Sequence, residues 1–309
     1  MVLLWGLTSD GPLAQVQAAL ARMGTPVAFL DQQDVRQSEV ELRLDDDVRG
    51  TLKTPGWTLD LESVSAVYLR PYDTCRLLAM QGVNTGSSSY HRALAFEGAL
   101  TCWVEMTRAL AVNRPSAMAS NNSKPYQLQL IRAAGFDVPD TLVTTDPGAV
   151  MEFWNQHRDV IYKSVSGIRS IVTKLGAEHR ERLRDVCACP TQFQQYIEGT
   201  DYRVHVVGED LLGCEIHSAA HDYRYPQRQA ADVQLKSCEI PGEVAERCRR
   251  LAASLALPVV GIDLRRTASG CWYCFEANPS PGFSFYEEAT GQPIAAALAR
   301  LLARGARLS

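Results

Sequence analysis

The sequence predicts an α/β protein that opens with a small parallel sheet. Residues 2–7 form an apolar run, residues 11–23 carry apolar side chains at helical spacing, and residues 26–30 form a second apolar run. This strand-helix-strand order is typical of a parallel β-α-β unit. The hydrophobic fraction of 46% and the charged fraction of 21% are those of a globular protein, so disorder is not expected.

Composition limits the possible partners and the compartment. A chain of 309 residues with a net charge of -4 is long enough for about two domains and too evenly charged for nucleic acid or anionic membrane to be a partner. The apolar run at the N-terminus ends too early for a signal peptide or a membrane span. Nine cysteines, an odd number, favour reduced thiols. We therefore expect a cytoplasmic protein.

The first domain is expected to extend over residues 1–112. Residues 39–61 alternate polar and apolar side chains, which predicts antiparallel strands, and residues 66–71 read as a buried strand that ends at Pro71. Residues 87–112 are predicted to form one long helix. The triplet Asn113-Arg114-Pro115 then ends the helix and marks the boundary.

A hairpin near the C-terminus brings oxygen-bearing side chains together. The apolar runs around Asp263 and Glu276 flank a short polar turn, and a register centred on Ser269 and Gly270 places these two carboxylates opposite each other. Asn278 projects from the same face. With no basic residue expected in register, the carboxylates would repel each other unless a divalent cation lay between them. All-oxygen ligands suit Mg²⁺, although a solvated polar face is the alternative.

Zinc is a weaker interpretation of the cysteines. Cys271 and Cys274 are three residues apart in a predicted strand and therefore face opposite sides. Cys187 and Cys189 have no second cysteine or histidine pair at the spacing of a zinc site. We expect no zinc.

The hairpin resembles a known metal site. Gly-x-Asp at Asp263, followed by Glu-x-Asn-x-x-Pro-Gly at Glu276 and Asn278, is similar to the magnesium site of the ATP-grasp superfamily of carboxylate–amine ligases. This resemblance implies an ATP-grasp fold. It also implies that the three side chains hold the Mg²⁺ ions that bridge the phosphates of ATP.

Two lysines match the family's phosphate-binding positions. Lys124 precedes a helix and the segment Ala-Gly-x-x-Val-Pro-x-Thr, which resembles the opening of the central ATP-grasp subdomain. Judged without that resemblance, it would be an exposed helix lysine. Lys163 lies within an apolar strand, where an ammonium group needs an anionic partner or must extend to the surface at a sheet edge. The resemblance implies that both lysines bind ATP phosphates.

The segment that follows resembles the family's hinge. It implies that the backbone of Gln195, Tyr196 and Ile197 contacts adenine, that Asp201 approaches the ribose, and that Arg203 reaches the transferred phosphoryl group. The plain alternative is a salt bridge between Asp201 and Arg203, which lie two apart on one strand face.

Two further positions depend on the resemblance. Arg224 matches a phosphate-directed arginine, with Arg228 as the alternative. The loop after Lys163 has Gly167 as its only glycine, which departs from the glycine-rich loop of the family.

The resemblance implies a central subdomain at residues 113–198 and a C-terminal subdomain with the metal site at residues 199–309. The implied activity is ATP-dependent ligation of an amino-acid or peptide substrate through an acyl phosphate. One alternative is a macrocyclase that joins side chains of a ribosomal precursor peptide as lactams or lactones. Another is a non-catalytic ATP-binding regulator, which the glycine-poor loop leaves open. A homo-oligomer is compatible with the sequence.

Overall fold

The computed structural model describes residues 1–165, 172–218 and 233–305, which form a mixed α/β fold with four sheets. The N-terminal unit has a parallel sheet of order β2-β1-β6-β7 and an antiparallel sheet of order β3-β4-β5. Its elements are β1 (Val2–Gly6), α1 (Gly11–Arg22), β2 (Val27–Asp31), β3 (Glu39–Leu44), β4 (Val48–Lys53), β5 (Thr58–Asp60), β6 (Ala66–Arg70), α2 (Ser88–Met106) and β7 (Leu110–Val112). The predicted parallel opening is confirmed.

The long helix predicted over residues 87–112 was wrong at its C-terminal end. Helix α2 stops at Met106, and β7 pairs in parallel with β6 as the fourth strand of the sheet. Arg114 closes the helix, because its guanidinium donates to the carbonyl oxygens of Val104, Glu105 and Thr107. Satisfying these last carbonyls from a side chain beyond the helix ends it before a strand that continues the apolar run.

The central part of the chain forms an antiparallel sheet of order β10-β9-β11-β8. Strand β11 lies between β8 and β9, so that Lys163 pairs with Gln192. The elements are α3 (Pro115–Met118), α4 (Lys124–Ala133), β8 (Thr141–Thr144), α5 (Pro147–His157), β9 (Val160–Ser164), β10 (Thr173–Lys174) and β11 (Thr191–Gln195).

The C-terminal part forms an antiparallel sheet of order β14-β13-β12-β15-β16. The hairpin that was expected around Asp263 and Glu276 is the pair β15-β16. The elements are β12 (Thr200–Val207), β13 (Asp210–Ser218), β14 (Val233–Cys238), α6 (Gly242–Ser254), β15 (Val259–Arg266), β16 (Trp272–Asn278), α7 (Ser284–Thr290) and α8 (Ile294–Arg304).

The two faces of this five-stranded sheet have different environments. One face packs against α4 and α6, and its core includes Val204, Ile262, Leu264 and Cys248. At its far end the other face shares a core with α8 and the N-terminal unit, through Val207 and Val259. The two ends of the chain therefore share one hydrophobic core. None of the helices described is long and apolar enough to cross a membrane.

Candidate nucleotide and metal site

A cleft of about 710 Å³ lies between the central and C-terminal sheets, and this volume is within the range of small-molecule sites. It contains six of the residues predicted from the sequence. These are Lys163, Tyr196, Ile197, Asp201, Asp263 and Glu276. The other lining residues are Ile161, Val172, Gln194, Tyr202, Leu264, Arg265 and Phe275.

The predicted pairing of Asp263 with Glu276 is present, but the hairpin reaches it by another route. Near the turn, Leu264 pairs with Cys274, and the register then shifts so that Asp263 pairs with Glu276. Phe275 is the extra residue, as in a β-bulge. The bulge reverses which side chains face the helices, since Cys274 and Ala277 both lie in the core beneath α4 and α6. Glu276 is thereby turned to the face of the sheet that carries Asp263.

The expectation that no basic residue lies in register with the carboxylates was wrong. Arg203 pairs with Asp263 across β12 and β15, and its Nη1 donates to Oδ1 of Asp263 at 2.5 Å. The hairpin alone did not reveal this partner, because it comes from the neighbouring strand on the other side. Gly261 makes room for the guanidinium, since a Cβ there would lie 2.0 Å from Nη2 of Arg203.

Arg203 is buried and not among the residues that line the cleft. Its guanidinium lies 5.7 Å from the centre of the Tyr286 ring and donates through Nε to Nε2 of His205 at 3.4 Å. Burial, followed by the nearby charge of Arg203, holds the pKa of His205 well below its usual 6.5. His205 is therefore neutral and presents an acceptor to Arg203.

Asp201 pairs with a residue that the sequence analysis did not single out. Arg265 donates from Nε and Nη2 to the two carboxylate oxygens of Asp201, at 2.7 and 2.8 Å. Its Nη1 donates to the carbonyl oxygen of Ile197 at 2.7 Å. The salt bridge within β12 that was considered for Asp201 and Arg203 was therefore wrong, because each finds its partner across on β15. The signal for Arg265 was its place two residues after Asp263 on the same strand face.

The predicted hinge carries some of its hydrogen bonds internally. The N–H groups of Gln195 and Tyr196 donate to the carbonyl oxygens of Asp140 and Asp159, both at 2.9 Å. An adenine contact from these two residues would therefore use their carbonyl oxygens or the Tyr196 ring. Tyr196 also lies beneath Arg265, whose guanidinium is 5.6 Å from the ring centre.

Gln194 is a polar group that the sequence analysis missed. It is 1% exposed, lines the cleft, and donates from Nε2 to Oγ1 of Thr141. Its Oε1 is buried with no hydrogen-bond partner among the described residues. A buried acceptor in this position matches an amino group of a bound base. Its signal was the alternation of Gln192, Phe193 and Gln194, which turns both amides to one face of β11.

The remaining predicted residues lie outside the cleft lining or outside the described ranges. Lys124 is the first residue of α4. Asn278 pairs with Gly261, and its Oδ1 accepts from the N–H of Ser280 at 2.9 Å. Arg224, Arg228 and the loop with Gly167 fall in residues 166–171 and 219–232, which the structure does not describe.

The donor chemistry fits magnesium and does not fit zinc. Asp263, Glu276 and Asn278 offer two carboxylates and an amide, all hard oxygen ligands that leave room for water and phosphate. Within the described ranges there is no group of three or more histidine, cysteine or acidic side chains that could hold a metal alone. Cys274 is buried and Cys271 is exposed, so the two thiols do not converge.

A family model described as a RimK-like ATP-grasp domain matches residues 119–302, which is more than half of the chain. The chain belongs to the RimK-like ATP-grasp family. It is an ATP-grasp ligase, an enzyme that forms carbon–nitrogen bonds with ATP. The expected ATP-grasp fold and ligase activity are thereby confirmed.

The family's curated members include two ligases with different substrates. The ribosomal protein bS6–L-glutamate ligase of Escherichia coli (strain K12 / DH10B) is 27% identical over 214 residues, which cover 65% of this chain and 70% of that protein. The beta-citrylglutamate synthase B of Danio rerio is 26% identical over 204 residues, which cover 61% of this chain and 49% of that protein.

Solved ATP-grasp structures match over nearly the whole chain. The ATP-grasp ligase PsnB, complexed with a phosphomimetic variant of its minimal precursor, Mg and ADP, is 26% identical with a TM-score of 0.79, covering 99% of this chain and 98% of PsnB. The macrocyclase MdnC from Microcystis aeruginosa MRC, bound with precursor peptide MdnA, has a TM-score of 0.79 at 22% identity, covering 97% of this chain and 98% of MdnC. The second likeness shows the fold alone.

The low pKa of His205 predicts how stability changes with pH. The unfolded chain takes up a proton on this histidine as the pH falls through about 6.5, whereas the folded chain does not, so acid favours unfolding. Below that pH we expect the free energy of unfolding of the wild type to fall by about 1.4 kcal/mol per pH unit more than that of His205→Gln. Urea titrations between about pH 7.5 and 5.5 measure both slopes. The exposed His91→Gln is the control, and equal slopes for His205→Gln and wild type would contradict the assignment.

Proposed function

We propose that this ligase binds Mg²⁺-ATP in the cleft and activates a carboxylate of a peptide substrate as an acyl phosphate, which an amine then attacks to form an amide. One observation carries the nucleotide site: Lys163, Asp201, Asp263 and Glu276 line a single cleft between two sheets. The peptide substrate is supported by the whole-chain likeness to PsnB, a ligase solved with its precursor.

The chain's own charges suit a triphosphate. Lys163 projects into the cleft from the central sheet, opposite the carboxylates of Asp263 and Glu276 on the C-terminal sheet. Asp263, Glu276 and Asn278 would hold Mg²⁺, which when bound neutralises phosphate charge. Gln194 would accept a hydrogen bond from the base through its unpartnered Oε1.

Arg203 supplies positive charge on the other side of Asp263. Its buried guanidinium, held by Asp263 and His205, is oriented before any substrate arrives. A preoriented cation near a transferring phosphoryl group stabilises the charge that spreads over its oxygens. Excluding water from the closed cleft would protect the acyl phosphate from hydrolysis.

The metal assignment predicts that nucleotide binding depends on Glu276. We expect a non-hydrolysable ATP analogue to bind the wild type with Mg²⁺ and much more weakly with EDTA, because the carboxylates otherwise repel the phosphates. Glu276→Gln should raise the Mg²⁺ concentration needed for half-maximal binding by about tenfold or more. Isothermal titration calorimetry measures the binding.

The matched control for Glu276→Gln is Glu288→Gln, which removes an exposed carboxylate on α7. This control should bind the analogue as the wild type does. Equal affinity of the wild type with and without Mg²⁺ would contradict the assignment of the metal residues.

The role of Arg203 predicts a loss in turnover that exceeds any loss in ATP binding. Arg203→Lys keeps the charge but lacks the planar guanidinium that bonds Asp263 and His205 together. We expect kcat to fall by roughly 10²-fold with a smaller rise in the KM for ATP, since the loss is felt mainly in the transition state. Steady-state ADP release measures both constants. The control Arg300→Lys changes an exposed pair with Asp210, and a near-normal kcat for Arg203→Lys would remove Arg203 from catalysis.

The proposed substrate class predicts which compounds stimulate ADP release. We expect peptides encoded by a short reading frame beside this gene to accelerate ADP release and to change mass, while free amino acids alone do not. Loss of one water per bond from the peptide mass would indicate a crosslink within the peptide, and a gain would indicate addition of an amino acid. Mass spectrometry separates the two products. Stimulation by free amino acids alone would contradict the peptide assignment.

A further inference from the structure

A buried glutamine joins helix α4 to the strand that carries the proposed metal residues. Nε2 of Gln127 donates to the carbonyl oxygen of Ala277 at 2.8 Å, and the N–H of Ala277 donates back to Oε1 of Gln127 at 3.0 Å. Gln127 is 2% exposed and Ala277 is fully buried. Ala277 lies directly between Glu276 and Asn278. We call this pair of hydrogen bonds the Gln127 clamp.

The clamp occupies a position where the sheet itself offers no partner. Strand β16 is the last in the order of its sheet, so its outer N–H and C=O groups have no neighbouring strand in that sheet. Buried backbone groups without partners are costly, and a glutamine amide presents the same donor and acceptor as a peptide group. Gln127 therefore takes the place of a neighbouring strand at one residue of β16.

The clamped residue is next to the irregular part of the hairpin. The register between β15 and β16 shifts between Asp263 and Leu264, which places the extra residue, Phe275, immediately before Glu276. A bulge interrupts the hydrogen-bond ladder that otherwise fixes a strand. Holding Ala277 from the outer edge restores a fixed backbone position just after the interruption, from which Glu276 and Asn278 both project to the opposite face.

The same residue connects two of the charged groups assigned to ATP. Lys124 and Gln127 are three residues apart in the first turn of α4 and so lie on neighbouring parts of one helix face. Fixing Gln127 to Ala277 fixes the start of that helix relative to the strand. The distance between Lys124 and the carboxylates then depends on the clamp.

We propose that Gln127 is a positioning residue of this ligase: by holding Ala277 it sets where Glu276 and Asn278 lie and where α4 begins. It touches neither the nucleotide nor the metal ion in this proposal, and it acts through Ala277. The proposal rests on the proposed function, because it assumes that Glu276 and Asn278 bind Mg²⁺.

The chain contains a matched control for the test. Gln32 makes the same pair of hydrogen bonds with Tyr72 in the N-terminal unit, with Nε2 to the carbonyl oxygen at 2.7 Å and the N–H to Oε1 at 2.8 Å. It is 3% exposed, so Gln32→Met and Gln127→Met remove equivalent buried contacts. The residue volume is similar in each substitution, but only Gln127 is joined to β16.

The experiment measures the Mg²⁺ dependence of binding of a non-hydrolysable ATP analogue by calorimetry, together with the melting temperature without ligand. We expect Gln127→Met to need about tenfold more Mg²⁺ for half-maximal binding, as is typical when a partner of metal ligands is removed. Gln32→Met should lose comparable thermal stability and keep the wild-type Mg²⁺ dependence. Amide exchange by NMR should be faster at Ala277 in Gln127→Met, because its N–H has lost its acceptor.

The outcomes separate this proposal from the proposed function. A wild type that depends on Mg²⁺, with a folded Gln127→Met that matches it, would overturn the positioning role alone. A wild type that binds the analogue equally well without Mg²⁺ would overturn the metal site and this proposal with it. If Gln127→Met fails to fold, Gln127→Glu replaces it, since it keeps an acceptor for Ala277 but loses the donor. Failure of both to fold beside a folded Gln32→Met would assign the clamp to stability and overturn the positioning role.

Discussion

The candidate site depends on the strict alternation of side chains in the C-terminal sheet and on one exception to it. In β12 and β15, Val204 and Ile262 face the core beneath α4 and α6, so Arg203 and Asp263 face the other way. Strand β16 would present Glu276 to the helices, on the same face as Cys274, were it not for the extra residue Phe275. Burying a carboxylate among apolar side chains is costly. The bulge avoids that cost and creates the pair of carboxylates in the same step.

The charges on this face are balanced by arginines from neighbouring strands. Arg203 bonds Asp263, and Arg265 bonds both oxygens of Asp201. Removing one partner of such a buried pair leaves the other charge uncompensated. Glu276 faces Asp263, so Arg203 neutralises one of two adjacent carboxylates before any ligand binds. A face that is nearly neutral without ligand, yet can place both signs of charge around a cation and a phosphate, suits a site that opens and closes around ATP.

The sequence predicted much of this arrangement, and what it missed depended on contacts between distant segments. Asp263 and Glu276 were paired by counting from the turn, and the count succeeded because the bulge corrected a register that is one residue different near Leu264. Arg203 was assigned to the site, but its bond to Asp263 was not foreseen, because pairing of β12 with β15 is not encoded in either strand alone. Strand β7 was merged with α2 because an apolar run of three residues has no period of its own. Gln127 could not be found from the sequence, since its partner lies 150 residues away.

The backbone around Asn278 is held from three directions, and this explains why the N-terminal unit and the C-terminal sheet share a core. Gln127 of α4 holds Ala277, Asn113 donates to the carbonyl oxygens of Val259 and Pro279, and Arg70 at the end of β6 donates to Oγ of Ser280 and to the carbonyl oxygen of Pro281. Arg70 is itself fixed by Asp10, which also caps α1. The segment after β16 has no strand partner beyond this point, so side chains from earlier in the chain supply its hydrogen bonds. The position of the metal ligands therefore depends on the packing of the N-terminal unit against α7 and α8, and a change in that packing would reach the nucleotide cleft through this segment.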